Sequence, residues 1–132
     1  SAMVYDTQRA RAILFGGALS ATLEVSDTWA FDGQKWLYLS GSPAPRQQHA
    51  MAYDIKRGRT VLFGGLSLGR TLSDTWEFDG KTWKRIFPQQ SPSPRAGHSM
   101  AYDSSRNRVV LFGGFNGNYL GDTWEYDGAN WT

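Results

Sequence analysis

The chain has no cysteine among its 132 residues. Disulfides, thiolate nucleophiles and cysteine-ligated metals are therefore excluded, although this does not assign a compartment. Histidine is nearly as scarce, with two residues, whereas a zinc site takes three or four ligands and no Cys is available to complete one. No apolar run approaches the ~18 residues of a membrane-spanning helix, and no signal-peptide pattern is visible. Net charge is small, at +2 with a sequence pI near 9.0, which gives no footing for nucleic-acid binding. Nowhere is there a helical period with caps, and no stretch has the character of an inter-domain linker.

What the chain has in abundance is glycine (15) and aromatic residues, including six Trp. Together with β-branched residues, these point to many short strands joined by tight turns. With 40% hydrophobic and 20% charged residues, the composition is that of a globular chain rather than a disordered one. One pattern occurs three times, at a period of about 48 residues, which lies in the range of propeller blades. Its landmarks are Tyr5, Tyr53 and Tyr102, then the double glycines Gly16-Gly17, Gly64-Gly65 and Gly113-Gly114. Two tryptophan series follow, Trp29, Trp76 and Trp124, then Trp36, Trp83 and Trp131.

The middle copy divides into four expected strands. Strand a covers about His49–Tyr53 and strand b the apolar run Thr60–Phe63, which the double glycine ends; an unbroken apolar run suits a strand buried on both faces. Strand c covers Asp74–Phe78, with Trp76 and Phe78 on one face and Thr75 and Glu77 on the other. Asp79-Gly80 is a hairpin signal, and strand d covers about Thr82–Phe87. The segment Pro88–Arg95 holds three prolines, so it reads as the connection to the next unit.

These residues resemble the kelch repeat of β-propellers, in the form with Pro-Arg-x-x-His ahead of strand a. The resemblance rests on Pro45-Arg46 with His49, Pro94-Arg95 with His98, the double glycines, and the paired tryptophans around Asp-Gly. It covers essentially the whole chain. It implies an all-β fold of four-stranded antiparallel blades around a central channel, strand a innermost, with d–a and b–c loops on one face at the channel mouth. The expected domain is 1–132, with blade 1 at about 1–40, blade 2 at about 45–87 and blade 3 at about 94–132.

Three blades are too few for a ring, since propellers close with ~4 to 8 and each blade buries its faces against neighbours. A lone arc exposes an apolar face at each end. The expected remedy is a two-fold homodimer of six blades, blade 1 against blade 3 of the partner, twice. By repeat register Ser1 matches His98 and Thr132 matches Lys84, so the Pro-Arg turn has no counterpart at those two seams.

The double glycines lack the helix N-terminus that a phosphate-cradling loop needs, and read instead as a backbone conformation or close approach. His49 and His98 occupy matching positions, as do Arg46 and Arg95. The resemblance implies imidazoles tied to backbone near the start of the inner strand, and the repeated arginines read as planar forks fixing loops. An anion site at the channel mouth is the alternative for the arginines. Asp27, Asp74 and Asp122 each precede Thr-Trp and read as side chains bonding nearby backbone. The tryptophans recur at fixed positions, as blade core should. On the a–b turns, Arg9, Arg11, Lys56, Arg57, Arg59, Arg106 and Arg108 lie beside Asp6, Asp54 and Asp103, a mixed solvated surface.

Positions held by the fold recur, and positions free for recognition vary. The b–c and d–a segments vary most, giving candidate ligand-binding residues Gln47, Gln48, Leu66, Ser67, Arg70, Phe115, Asn116, Asn118 and Tyr119, which suit a peptide, protein or glycan. The reading is a non-catalytic binding or scaffold module with no cofactor, no metal and no catalytic residue. An engineered or excised propeller fragment with no ligand of its own is one alternative. An enzyme like the kelch-bladed copper oxidase is another, set aside because there is no Cys for its cross-linked cofactor.

Overall fold

A computed structural model describes residues 1–39 and 43–132. The described residues form eleven strands and no helix, arranged as three antiparallel sheets in chain order. The first holds β1 (Ala2–Asp6), β2 (Arg11–Ser20), β3 (Leu23–Phe31) and β4 (Trp36–Leu39). The second holds β5 (Ala50–Asp54), β6 (Arg59–Ser67), β7 (Arg70–Phe78) and β8 (Trp83–Ile86). The third holds β9 (Ser99–Asp103), β10 (Arg108–Phe112) and β11 (Thr123–Tyr126). Its fourth position is filled by the bridge between Tyr126 and Trp131, secured by reciprocal Glu125–Thr132 backbone bonds of 2.9 Å. The expected end of blade 1 at residue 40 lies outside the described residues.

The double glycine does not end strand b in the first two blades. There β2 and β6 continue through Gly16-Gly17 and Gly64-Gly65, with a register shift between Phe15 and Gly17 and between Phe63 and Gly65. Strand c begins correspondingly early, at Leu23 and Arg70, so most of the expected b–c loop is extended hairpin. The physical reason is a β-bulge: glycines in the left-handed region absorb one extra residue and let pairing resume. Gly64 has φ +62°, and a Cβ there would stand 2.8 Å from the Arg95 carbonyl oxygen. In blade 3 strand b does stop at Phe112, and residues 113–122 form an irregular loop.

Blade 2 is packed on both sides. Leu62 and Met51 join Phe15 of blade 1, with Trp76 and Trp83 packed around them. Phe78 joins Ile13 and Ala30. The opposite face presents Ala52, Val61 and Phe63 to Val109, Leu111, Tyr126 and Trp131 of blade 3. Trp76 and Phe78 thus face blade 1, and Thr75 and Glu77 face blade 3, where Trp131 Nε1 donates to Thr75 Oγ1 at 3.0 Å and the Tyr126 hydroxyl to Glu77 at 2.9 Å. Each run of alternating residues becomes half of a seam, so the period of two translates directly into two interfaces. All five residues of β5 are buried, whereas β1 and β9 are buried on alternate positions at most.

Candidate functional site

The d–a connectors come first, because they hold the loop face in place. Arg46 is buried, and its guanidinium forks onto Asp74 with Nη1 at 2.7 Å and Nη2 at 2.8 Å from the two carboxylate oxygens. Nη1 also donates to the Gly64 carbonyl at 3.0 Å. Its backbone, by contrast, belongs to blade 1: Gly17 N–H donates to the Arg46 carbonyl and Arg46 N–H donates to that of Val25. Arg46 therefore fastens two blades, one through its backbone and one through its side chain. Arg95 repeats the arrangement, with its backbone tied to Gly65 and Leu72 and its fork on Asp122 and the Gly113 carbonyl.

The carboxylates Asp74 and Asp122 are therefore partners of arginine and of the neighbouring indoles. Trp76 Nε1 and Trp124 Nε1 each donate to them at 2.7 Å. Bonding to nearby backbone, the role expected for these aspartates from sequence, is replaced by this longer-range pairing. Burial raises the pKa of Asp74, but the Arg46 bonds and charge outweigh it and hold the carboxyl below its usual value. Asp122 is likewise held well down, first by Arg95. Asp27 makes no such pair among the described residues.

His49 and His98 are buried beside these connectors. Nε2 of His49 lies 3.0 Å from the Phe15 carbonyl, and Nε2 of His98 lies 2.9 Å from the Phe63 carbonyl. A carbonyl only accepts, so each imidazole carries its proton on Nε2 and leaves Nδ1 as a bare lone pair. Nδ1 has no protein partner in either ring. Burial pushes His49 down to about 3 and His98 down to about 4, so both are neutral across the physiological range. Each imidazole also meets edge-on the phenyl of the residue whose carbonyl it bonds, at centroid distances of 5.4 and 5.6 Å. Among the described residues, no cluster of three or more His, Cys, Asp or Glu is placed to hold a metal ion.

On the loop face, the candidate recognition residues fall into distinct places. Gln48, Leu66, Arg70, Phe115 and Asn116 line one groove of about 510 Å³ over the boundary between blades 2 and 3. Phe115 and Tyr119 stack at 5.2 Å, and Tyr119 is 92% exposed. These two residues and Gln48 also line an adjoining hollow of about 360 Å³. Gln47 is spent elsewhere: its backbone bridges Leu66 and its side chain donates to Glu24 at 3.3 Å. Ser67 lines a separate cleft beside Leu23 and Pro45. Asn118 closes a tight turn over Gly117 by accepting from Asn116 N–H.

Pro94, Ala96 and Thr71 complete the groove without having been singled out from sequence. Ala96 and Thr71 lie in the varying d–a and b–c segments, whereas Pro94 repeats Pro45, so a search confined to varying positions passes over it. The a–b turns on the other face carry short ion pairs, Arg9–Asp6 at 2.9 Å, Arg57–Asp54 at 2.7 Å and Arg106–Asp103 at 2.8 Å. Among the described residues, no helix is long and apolar enough to cross a membrane.

Repeated four-stranded sheets, Pro-Arg connectors fastening one sheet to the next and double-glycine bulges agree with one comparison. A family model for the KLHDC2/KLHL20/DRC7 Kelch-repeats domain matches residues 1–132. The chain belongs to the kelch-repeat family. No curated protein matches it closely enough to count as a relative. Kelch-repeat domains generally mediate protein binding. In this kelch chain Arg46, Arg95, His49, His98, Asp74 and Asp122 fasten blade to blade, and the open groove lies mostly among residues the motif leaves free.

Proposed function

We propose that this kelch domain is a non-catalytic recognition module that binds a protein or peptide segment on the face formed by its b–c hairpins and d–a connectors. The observation that carries the reading is the groove between blades 2 and 3. Its volume of about 510 Å³ falls within the range of ligand sites, ~300 to 1,000 Å³. Leu66, Ala96, Pro94 and Phe115 offer apolar wall, and Gln48, Asn116 and Arg70 offer donors at the rim. That mixture suits an apolar anchor side chain flanked by backbone or acidic groups. The motif histidines hold backbone carbonyls with neutral rings, which supports leaving chemistry out of the reading.

The second part of the proposal is closure. A rigid recognition face needs a complete ring, and one outer face each of blades 1 and 3 is left with exposed large apolar side chains, Met3, Tyr5 and Trp36 on one and Phe112 on the other. A second copy of the chain covers both faces and brings the blade count to six, within the range of known propellers.

Peptide and glycan arrays test the recognition reading. Saturable binding of peptides is expected, weakened at least tenfold by Phe115→Ala and by Arg70→Ala. Silence on the peptide array, or binding indifferent to both substitutions, overturns it; binding confined to glycans replaces the ligand class.

A further inference from the structure

The two seams inside the chain show which residues make one blade fit the next, and the equivalent residues on the two open faces have no neighbouring blade over them. At the seam of blades 1 and 2, Arg11 of blade 1 donates to the Gly80 carbonyl of blade 2 at 2.6 Å, whereas a tyrosine and a tryptophan of blade 2 donate to blade 1. The Tyr53 hydroxyl donates to Asp6 at 2.7 Å, and Trp83 Nε1 donates to Thr28 Oγ1 at 3.0 Å. The Trp83 ring also lies 5.2 Å from Phe15, which is wholly buried. At the next seam Trp131 repeats both contacts, with Thr75 at 3.0 Å and with buried Phe63 at 5.4 Å. There the Tyr102 hydroxyl turns to Asn107 at 3.2 Å, so the Trp–Thr–Phe set is the constant element.

Blade 1 carries the donor set on its outer face. Tyr5 corresponds to Tyr53 and is 57% exposed, and Trp36 corresponds to Trp83 and is 49% exposed. Trp36 is already held as its counterparts are. It meets Phe31 at 5.1 Å and 33°, against 5.1 Å and 33° for Trp83 on Phe78 and 5.0 Å and 34° for Trp131 on Tyr126. Blade 3 carries the acceptor set. Phe112 corresponds to Phe15 and Phe63 but is 55% exposed, and Thr123 corresponds to Thr28 and Thr75. Asp103 accepts the N–H groups of Ser105 and Arg106 and the Arg106 side chain, as Asp6 accepts those of Gln8 and Arg9. One position departs from the inner seams: Phe31 faces the place of Glu125, whose carboxylate is paired with Arg106.

We infer that the outer face of blade 1 is the docking partner for the outer face of blade 3 on a second copy of this chain, head to tail. The Tyr5 hydroxyl donates to Asp103, the Trp36 indole N–H donates to Thr123, and Trp36 covers Phe112. This rests on the closure reading above and gives it an orientation and named contacts. The donor and acceptor faces are unlike, so each copy offers one of each, and two copies satisfy both at once. Two copies give six blades and three would give nine, beyond the ~4 to 8 that propellers use.

The chain's lack of cysteine makes the test direct. Tyr5→Cys and Asp103→Cys chains are prepared separately, and each is treated with a short bismaleimide, alone and as an equal mixture. Light scattering on the unaltered chain is expected to give twice 14.8 kDa, and Trp36→Glu and Phe112→Glu, both at exposed sites, are expected to halve that mass. Leu68→Glu, on a hairpin tip, leaves it unchanged. Cross-linking is expected in the mixture and not in either chain alone. A dimer that cross-links within one chain type, fails to cross-link in the mixture, or ignores both glutamates overturns the head-to-tail seam while closure stands. A monomeric unaltered chain at micromolar concentration overturns both.

Discussion

Lowering the pH from 7.5 to 5 is expected to strip stability from this fold through two residues. His49 and His98 are neutral in the folded chain, brought down to about 3 and about 4, with burial the largest cause in each. The geometry gives the reason: Nε2–H is committed to a carbonyl, and a second proton would land on Nδ1, which is buried without a partner. An unfolded imidazole titrates near 6.5. The folded values lie below the unfolded one, so the contribution is complete above about pH 6.5 and is lost as pH falls toward the folded values. At pH 5 the unfolded state has gained its protons and the folded state has not. Each histidine then costs about 1.5 pH units at 1.36 kcal/mol per unit, roughly 2 kcal/mol, or ~4 kcal/mol for the pair.

The carboxylates with displaced values, Asp6, Asp74 and Asp122 among them, are displaced downward, so they stay charged through this window. Urea unfolding followed by tryptophan fluorescence at both pH values measures the loss. The same measurement on His49→Gln with His98→Gln, whose amides donate without titrating, should remove most of it. A stability equal at pH 7.5 and 5, or a loss that survives the double substitution, refutes the reasoning.

Two further outcomes follow from the connectors. Arg46→Ala leaves Asp74 with 13% side-chain exposure and no cation, and Arg95→Ala leaves Asp122 with 42%. Orphaning a buried charge costs ~3 to 5 kcal/mol, whereas water compensates an accessible one, so chemical denaturation should rank Arg46→Ala as the more damaging change. Gly64→Ala places a Cβ 2.8 Å from the Arg95 carbonyl, but Gly69→Ala, also at positive φ, meets nothing within 4 Å. Thermal melts should show about 1 kcal/mol lost for Gly69→Ala, the cost of a left-handed non-glycine residue, and a clearly larger loss for Gly64→Ala.

The blade framework was legible because it is written in repetition. The alternation of Trp76 and Phe78 with Thr75 and Glu77 marked two faces, and the structure gives each face its neighbour. What could not be read were contacts whose partners lie far apart in sequence. Asp74 looked local because Thr75 and Trp76 follow it, yet its main partner is Arg46. The reach of strand b through Gly64-Gly65 was hidden because glycine ordinarily marks an end, and the bulge that lets pairing resume depends on the carbonyls of Leu72 and Arg95 closing around it. The groove was half visible: variation pointed to Phe115 and Arg70 but not to Pro94, which repeats Pro45 and so read as framework. Ser67 and Asn118 varied too, and the hairpin of blade 2 and the irregular loop of blade 3 send them elsewhere.

The connector arginine also says where the module's true joints are. Drawn by sheets, the chain divides between strand d of one blade and strand a of the next. Drawn by bonds, Arg46 already belongs to both blades, and the short block from Pro45 to His49 carries the fastening backward to Gly17, Val25 and Phe15 and forward to Asp74. A duplication or splice that opens just before this block moves a blade together with its own adhesive. One that opens after it parts the four strands from the Arg46 fork on Asp74. Anyone lengthening or shortening the array should therefore cut just ahead of Pro45 or Pro94, so that each blade keeps the block that fastens it.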